Sequence, residues 1–225
     1  MRNLLWTLFL LTGLALFFFG SLLYAATAFP AGYDWRHTVM SSLASPTENP
    51  AACRIASFGL AVSGVFLSLL GFDVRRALRP YAPAWTAWAR AFFVLGGILL
   101  TVSALITPGH HAFLGLGKAH AKLAQAAGVG FGIGMALDLP AILRLPARHS
   151  RVRVPAILLA VVPVTLYLLC RMLLPLVETF VSPPAQQALQ HSIFGSLAFW
   201  EWIGSVSVYL FLALITLALG PKPRP

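Results

Sequence analysis

The sequence predicts an all-α, polytopic membrane protein: a single integral domain over residues 1–225, built as a bundle of six transmembrane helices. Three observations carry that prediction. Of the residues, 59% are hydrophobic and only 10% charged, whereas water-soluble chains carry about a quarter charged residues and under half apolar ones. The mean hydropathy of +0.82 is collected in six long apolar runs, and a hydrocarbon core about 30 Å thick needs about 20 helical residues to cross it. The runs are separated by turn-forming breakers, and each is too long and too uniformly apolar for the alternating strands of a barrel. This composition excludes a disordered chain, a coiled coil, collagen and a disulfide-stapled secreted scaffold. The net charge of +10 would alone suggest nucleic acid, but the basic residues lie in short loops between apolar runs, so no nucleic-acid partner is expected.

The expected spans are Leu4–Ala28, Ala51–Phe72, Thr86–Thr107, Ala119–Arg144, Val154–Val177 and Ile193–Leu219. Phe29-Pro30-Ala31-Gly32, Asn49-Pro50, Pro80-Tyr81-Ala82-Pro83, Pro108-Gly109 and Ser182-Pro183-Pro184 separate them. Arg2, the first run and Ala26-Thr27-Ala28 also resemble a secretory signal. The run exceeds the usual signal core of about 7–15 residues, so a retained helix is expected.

Lys and Arg side chains near spans resist translocation. Arg2, Arg75, Arg76, Arg79, Arg90, Arg144, Arg148, Arg151, Arg153, Lys222 and Arg224 fall on one side. Arg36, Arg54, Lys118, Lys122 and Arg171 fall on the other. The rule therefore puts both termini in the cytoplasm, as in a bacterial inner membrane, with the arginine loops marking topology and contacting anionic lipid. His37, His110, His111, His120 and His191 then share the outer face with Asp34, Glu48 and Glu178, and only His149 is inside.

Gly128, Gly130, Gly132 and Gly134 form two overlapping small-xxx-small pairs in the fourth span. Such pairs allow close helix packing, including an oligomer through Gly128 and Gly132. A nucleotide loop is the poorer reading, since no strand precedes them and they lie inside an apolar span. Asp73 and Asp138 are expected to pair with neighbouring arginines. Cys53 and Cys170 lie at different depths and are read as unbridged packing residues. Spans two and four share a faint outline, from Arg54 to Asp73 and from Lys122 to Asp138, too short to establish a repeat.

Loop one, Tyr33–Pro46, reads as a short interfacial helix starting at Asp34. On it Asp34, His37 and Ser41 would share a face, orienting an imidazole and activating a hydroxyl. Trp35, Val39 and Leu43 would lie against the bilayer. The preferred reading is that Asp34 caps the helix and the serines satisfy backbone groups, since no oxyanion donor is identified and triads rarely lie on one helix. His37, His120 and His191, with Glu201 or Asp34, have the ligand types for zinc, although no compact motif such as HExxH is present. A bis-histidine haem would need His120 and His191 at matching depth. Glu201 sits about 8 residues into the last span, roughly 12 Å by helical rise. A carboxylate there faces protein or a wet cavity and needs a partner, with His120, Arg54, Lys122, Gln125 and Arg171 as candidates.

Tyr33-Asp34, His37, Ser41-Ser42-Leu43-Ala44, Asn49-Pro50, Thr107-Pro108 and His120 together resemble a family of bacterial six-span membrane proteins grouped as a domain of unknown function. That family is distantly similar to the damage-regulated autophagy modulator (DRAM) and FGF-receptor-activating-protein families. The resemblance covers most of the chain through short motifs. It implies a six-helix bundle, sometimes linked to lipid handling, with no assigned reaction. Relatives place an acid just after the loop-one serine, where this chain has Leu43. A looser analogy is to membrane hydrolases typified by alkaline ceramidase, although the paired histidines of a late helix are missing here.

The resulting expectation is a polar, outward-facing pocket that binds a membrane-lipid head group. His120, Lys122, Arg54, Arg171 and His191 would be its binding residues. The enzymatic alternative is a metal-dependent or His/Ser lipid hydrolase, with His37, Ser41, Asp34 and Glu201 as catalytic groups and zinc on His37, His120 and His191.

Overall fold

The structure is a computed structural model that describes residues 4–106, 117–178, 192–193 and 196–219. Every regular element among the described residues is helical. In chain order they are α1, Leu4–Thr27; α2, Met40–Leu43; α3, Cys53–Leu78; α4, Pro83–Leu105; α5, Gly117–Leu143; α6, Ser150–Glu178; and α7, Leu197–Leu219. All except α2 contain a segment long and apolar enough to cross a membrane, which makes six. The expected spans are thus present with shifted ends. α3 runs past Phe72 to Leu78 because no breaker intervenes before Pro80, and Arg75 and Arg76 in its last turn suit the negative helix end. Pro83 opens α4, where a missing amide hydrogen is no loss.

Small residues determine how the helices meet. A Cβ on Gly64 would collide with the Gly97 carbonyl and the Thr101 hydroxyl, and that hydroxyl crosses from α4 to donate to Ala61 O of α3 at 2.9 Å. Phe93, fully buried, lies between Gly71 of α3 and Gly134 of α5. Gly130 packs on Gly96. Of the two glycine pairs expected in this helix, Gly130/Gly134 therefore forms the α4–α5 seam. Among the described residues, Gly128 has nothing within 4 Å of an added Cβ, and Gly132 meets only Val164 of α6 at 3.9 Å.

α1 contains a wider π segment over Ala15–Gly20. Ser21 follows it and donates its hydroxyl to Phe17 O at 2.5 Å and Phe18 O at 3.3 Å, partnering carbonyls that a π turn loosens. Gly59 of α3 lies directly against this place, where any side chain would strike Ser21 and the Phe17 carbonyl.

Cys53 and Cys170 are free, as expected. The pairing expected for Asp138 is not found. Its carboxyl is fully buried and, among the described residues, neither oxygen has a hydrogen-bond partner; it lies one turn beyond Gly134, on the face of α5 that meets α4. Asp73 is also buried.

Candidate functional site

The polar groups concentrate where loop one folds back over the bundle. Gly32 makes the turn possible with φ 77°, a conformation that residues with a Cβ rarely adopt. Tyr33 follows, wedged between Phe29 and Trp202. Its phenol donates to Thr38 O at 2.9 Å and accepts the Trp202 indole N–H at 3.1 Å. Burial pushes this phenol up to about 12; the Trp202 hydrogen bond opposes the shift, and the charge of Glu201 adds to it.

Asp34 nucleates a turn, its backbone carbonyl accepting the amides of His37 and Thr38 at 3.1 and 2.8 Å. One carboxylate oxygen accepts the Arg36 amide at 3.0 Å, and the other meets His37 Nδ1 at 2.8 Å. Both side chains are about half exposed, at 55% for Asp34 and 46% for His37. The His37 contact, then the Arg36 amide, hold the Asp34 carboxyl below its ordinary value.

The expected continuous helix from Asp34 does not form. Val39 is extended, with φ −61° and ψ 149°, and only Met40–Leu43 is helical beyond it. Ser41 therefore does not follow His37 by one helical turn, and the Asp–His–Ser face is lost as a helical face. Leu43 is fully buried instead of lying on lipid, while Trp35 is exposed and packs on Phe199.

The break at Val39 leaves the Met40 amide without an intrahelical partner, and Glu201 of α7 supplies it: Met40 N–H donates to Glu201 Oε2 at 2.8 Å. The partner observed is thus a backbone amide, not one of the candidate side chains His120, Arg54, Lys122, Gln125 and Arg171. The carboxylate holds a segment 161 residues away in the chain. A second tie is Asn49, fully buried, whose amide donates to Ala25 O at 2.8 Å and Leu43 O at 3.2 Å. Loop one is thus fastened to α1 by Asn49 and to α7 by Glu201 and Trp202. The sequence marks Asn49-Pro50 as a breaker and as part of the family resemblance but assigns the Asn49 side chain no role; an amide before Pro50, with two donors to place, is the available signal.

His120 stands apart from these groups. It is 4% exposed, and its Nδ1 donates to Ser103 O at 2.6 Å while the Ser103 hydroxyl donates to His120 O at 3.0 Å. The carbonyl acceptor requires the proton on Nδ1; among the described residues, Nε2 is buried without a hydrogen-bond partner. Arg54 and Lys122 are exposed near the starts of α3 and α5, on the loop-one end of the bundle. His110, His111, His191 and the side chain of Arg171 lie outside what is described. Among the described residues the structure brings together Asp34 with His37, and Glu201 with Met40, Tyr33 and Trp202; it assembles no group of three or more His, Cys, Asp or Glu able to hold a metal.

The arrangement offers one half-exposed acid–imidazole pair, a part-buried carboxylate used as a clasp, and exposed cations on the same end. No family model, curated protein or solved structure matches this chain.

Proposed function

We propose that the chain is an integral membrane protein whose loop-one end faces outward from a bacterial inner membrane, with both termini cytoplasmic, and that this end binds a lipid head group. The observation that carries the reading is the Glu201–Met40 clasp. A carboxylate is costly inside a span, and here it holds a polar loop across the end of the bundle. The clasped loop presents Asp34 and His37, while Arg54 and Lys122 stand exposed on the same end. Those two cations contact phosphate in this reading, and the Asp34–His37 pair meets the remaining polar groups. The resemblance to a six-span family sometimes linked to lipid handling belongs to the same proposal. Lipid recovered with the purified chain, identified by mass spectrometry, tests it. A phosphate-bearing lipid enriched over its share of the source membrane, and depleted in Arg54→Ala/Lys122→Ala, is the expected result. Recovery that only mirrors the bulk membrane refutes it.

The 2.8 Å Asp34–His37 contact favours a second reading, a His/Ser or metal-dependent lipid hydrolase, because an oriented imidazole is the usual proton carrier in such reactions. Elemental analysis discriminates the metal version: near-stoichiometric zinc lost in His37→Ala and His120→Ala supports it, and zinc-free protein that still hydrolyses lipid leaves only the His/Ser version.

A further inference from the structure

The carboxyl of Asp138 is a buried acid that neither the loop-one site nor the helix packing uses. It lies near the end of α5, about 8 Å by helical rise from its arginine-rich end, and is fully buried. The same face of α5 is closed on either side of it. Gly134, one turn earlier, meets Phe93 and Ala89 O of α4, and Ile142 and Leu145, further along, are buried as well. α4 runs antiparallel to α5 here, because Gly130 meets Gly96 while Gly134 meets Ala89 and Phe93. Beyond Ala89 on that face of α4 comes Thr86, fully buried, whose hydroxyl donates to Pro83 O at 3.2 Å.

Hydrogen-bond supply in this interior is one-sided. Each hydroxyl has one hydrogen to give, and the buried ones give it to carbonyls of the preceding turn, as Ser63 does to Gly59 O and Thr216 to Leu212 O, both at 2.6 Å. Among the described residues neither oxygen of Asp138 has a hydrogen-bond partner. The charged groups of the neighbouring elements are engaged or placed elsewhere. Arg90 of α4 lies over the Phe72 ring, 5.1 Å from its centroid, and Arg144, just past α5, donates to Tyr81 O at 3.2 Å. At the start of α6, Arg151 is exposed and Arg153 half-buried. α3 brings buried Asp73 and part-buried Arg75, neither of them hydrogen-bonded to Asp138. The described part of α7 has no titratable group beyond Tyr209 toward this end.

An ionised carboxylate without donors is unfavourable in such a place, and neutralising it is lower in free energy. A bound proton reverses the local mismatch: the carboxyl becomes a donor, and backbone carbonyls with a second lone pair lie all around it. A metal ion also neutralises carboxylates, but it takes several oxygen ligands, and among the described residues no three His, Cys, Asp or Glu come together. A proton needs neither further ligands nor a cavity.

We infer that Asp138 is a proton-binding site at the α4–α5 seam, filled from the aqueous phase on the arginine-rich side. It is separate from the head-group reading, since it lies toward the opposite end of the bundle from loop one. It ties the packing of α4 on α5 to a proton: separating the helices gives the carboxyl water and arginines, and the proton leaves.

Infrared spectroscopy reads that proton directly, because a protonated carboxyl has a carbonyl stretch that an ionised one lacks. The chain has three aspartates, Asp34, Asp73 and Asp138, so carbon-13 in the aspartate carboxyls shifts their bands alone. The full chain is measured in vesicles of phosphatidylethanolamine and phosphatidylglycerol at about pH 7, where an aspartate in water, with a midpoint of about 3.9, is charged. The expected result is one protonated band that moves with the label and is lost in Asp138→Asn. In Asp138→Glu the band remains but no longer carries the label, a check that does not depend on the asparagine variant folding.

A wild-type spectrum with no label-sensitive protonated band overturns the site without need of any variant. A band that survives in Asp138→Asn, or keeps the label in Asp138→Glu, belongs to another aspartate and overturns it too. A band that appears only when choline replaces sodium and potassium assigns the place to a metal ion, and the proton site falls.

Discussion

Replacing Glu201 with alanine isolates the clasp that holds loop one. Oε2 of Glu201 accepts the Met40 amide at 2.8 Å in a part-buried setting, and that amide opens a four-residue helix with no preceding turn to satisfy it. Alanine leaves the donor unmatched, which costs about 1–3 kcal/mol. If opening of loop one is what exposes this amide, its exchange with solvent accelerates by about 5- to 150-fold. Hydrogen–deuterium exchange on a peptide spanning residues 38–44, in detergent, reads this directly. Peptides from α3 and α4 serve as references and remain unchanged. Glu201→Gln keeps a carbonyl oxygen for the same amide and retains part of the protection, since a neutral acceptor is weaker than a charged one. Unchanged exchange in Glu201→Ala refutes the clasp. Equal acceleration in both variants assigns the effect to charge rather than to the hydrogen bond.

Three further outcomes are expected. Asn49→Ala removes the donor to both the Ala25 and Leu43 carbonyls and destabilises the chain by about 1–3 kcal/mol, measurable as a lower melting temperature in detergent. Phe93→Ala empties the space between Gly71 and Gly134 and costs about 3–5 kcal/mol; a melting curve indistinguishable from wild type would contradict the three-helix packing. The Tyr33 phenol is raised from 10.0 to about 12, so its protonated form stabilises the fold fully below pH 10.0, and that stabilisation is lost as pH rises from there to about 12. The difference in phenolate absorbance between wild type and Tyr33→Phe is expected to develop only toward about pH 12, and a step near 10 would show that Tyr33 is not held as described.

The bundle was legible because membrane thickness sets helix length and because breakers have unambiguous chemistry. Pro83 marks the start of α4, and of the two glycine pairs that the spacing offers equally, the structure puts Gly130/Gly134 against α4. The site was less legible. Periodicity continued a helix from Asp34 through Ser41, but Val39 leaves helical geometry because the amide after it is satisfied by Glu201 rather than by the preceding turn. Such a bond joins residues far apart in the chain, and sequence spacing carries no information about it. Glu201 itself was recognisable as an acid within a span and in need of a partner; that the partner is a backbone amide follows only from tertiary structure. Ser103, the partner of His120, was hidden for the same reason, being one hydroxyl inside an apolar run.

The π segment in α1 has a consequence for chain length. Closing hydrogen bonds over five residues instead of four takes one surplus residue into Ala15–Gly20. Removing one residue there would let the turn relax to regular winding while Leu10 and Leu22, both fully buried, keep pointing at the same neighbours. Removing one elsewhere in α1 would swing everything beyond the cut by about 100° and carry one of those leucines out to lipid. The first helix thus contains a single stretch where a deletion can be absorbed, and it lies opposite Gly59, the position on α3 with no space for a side chain.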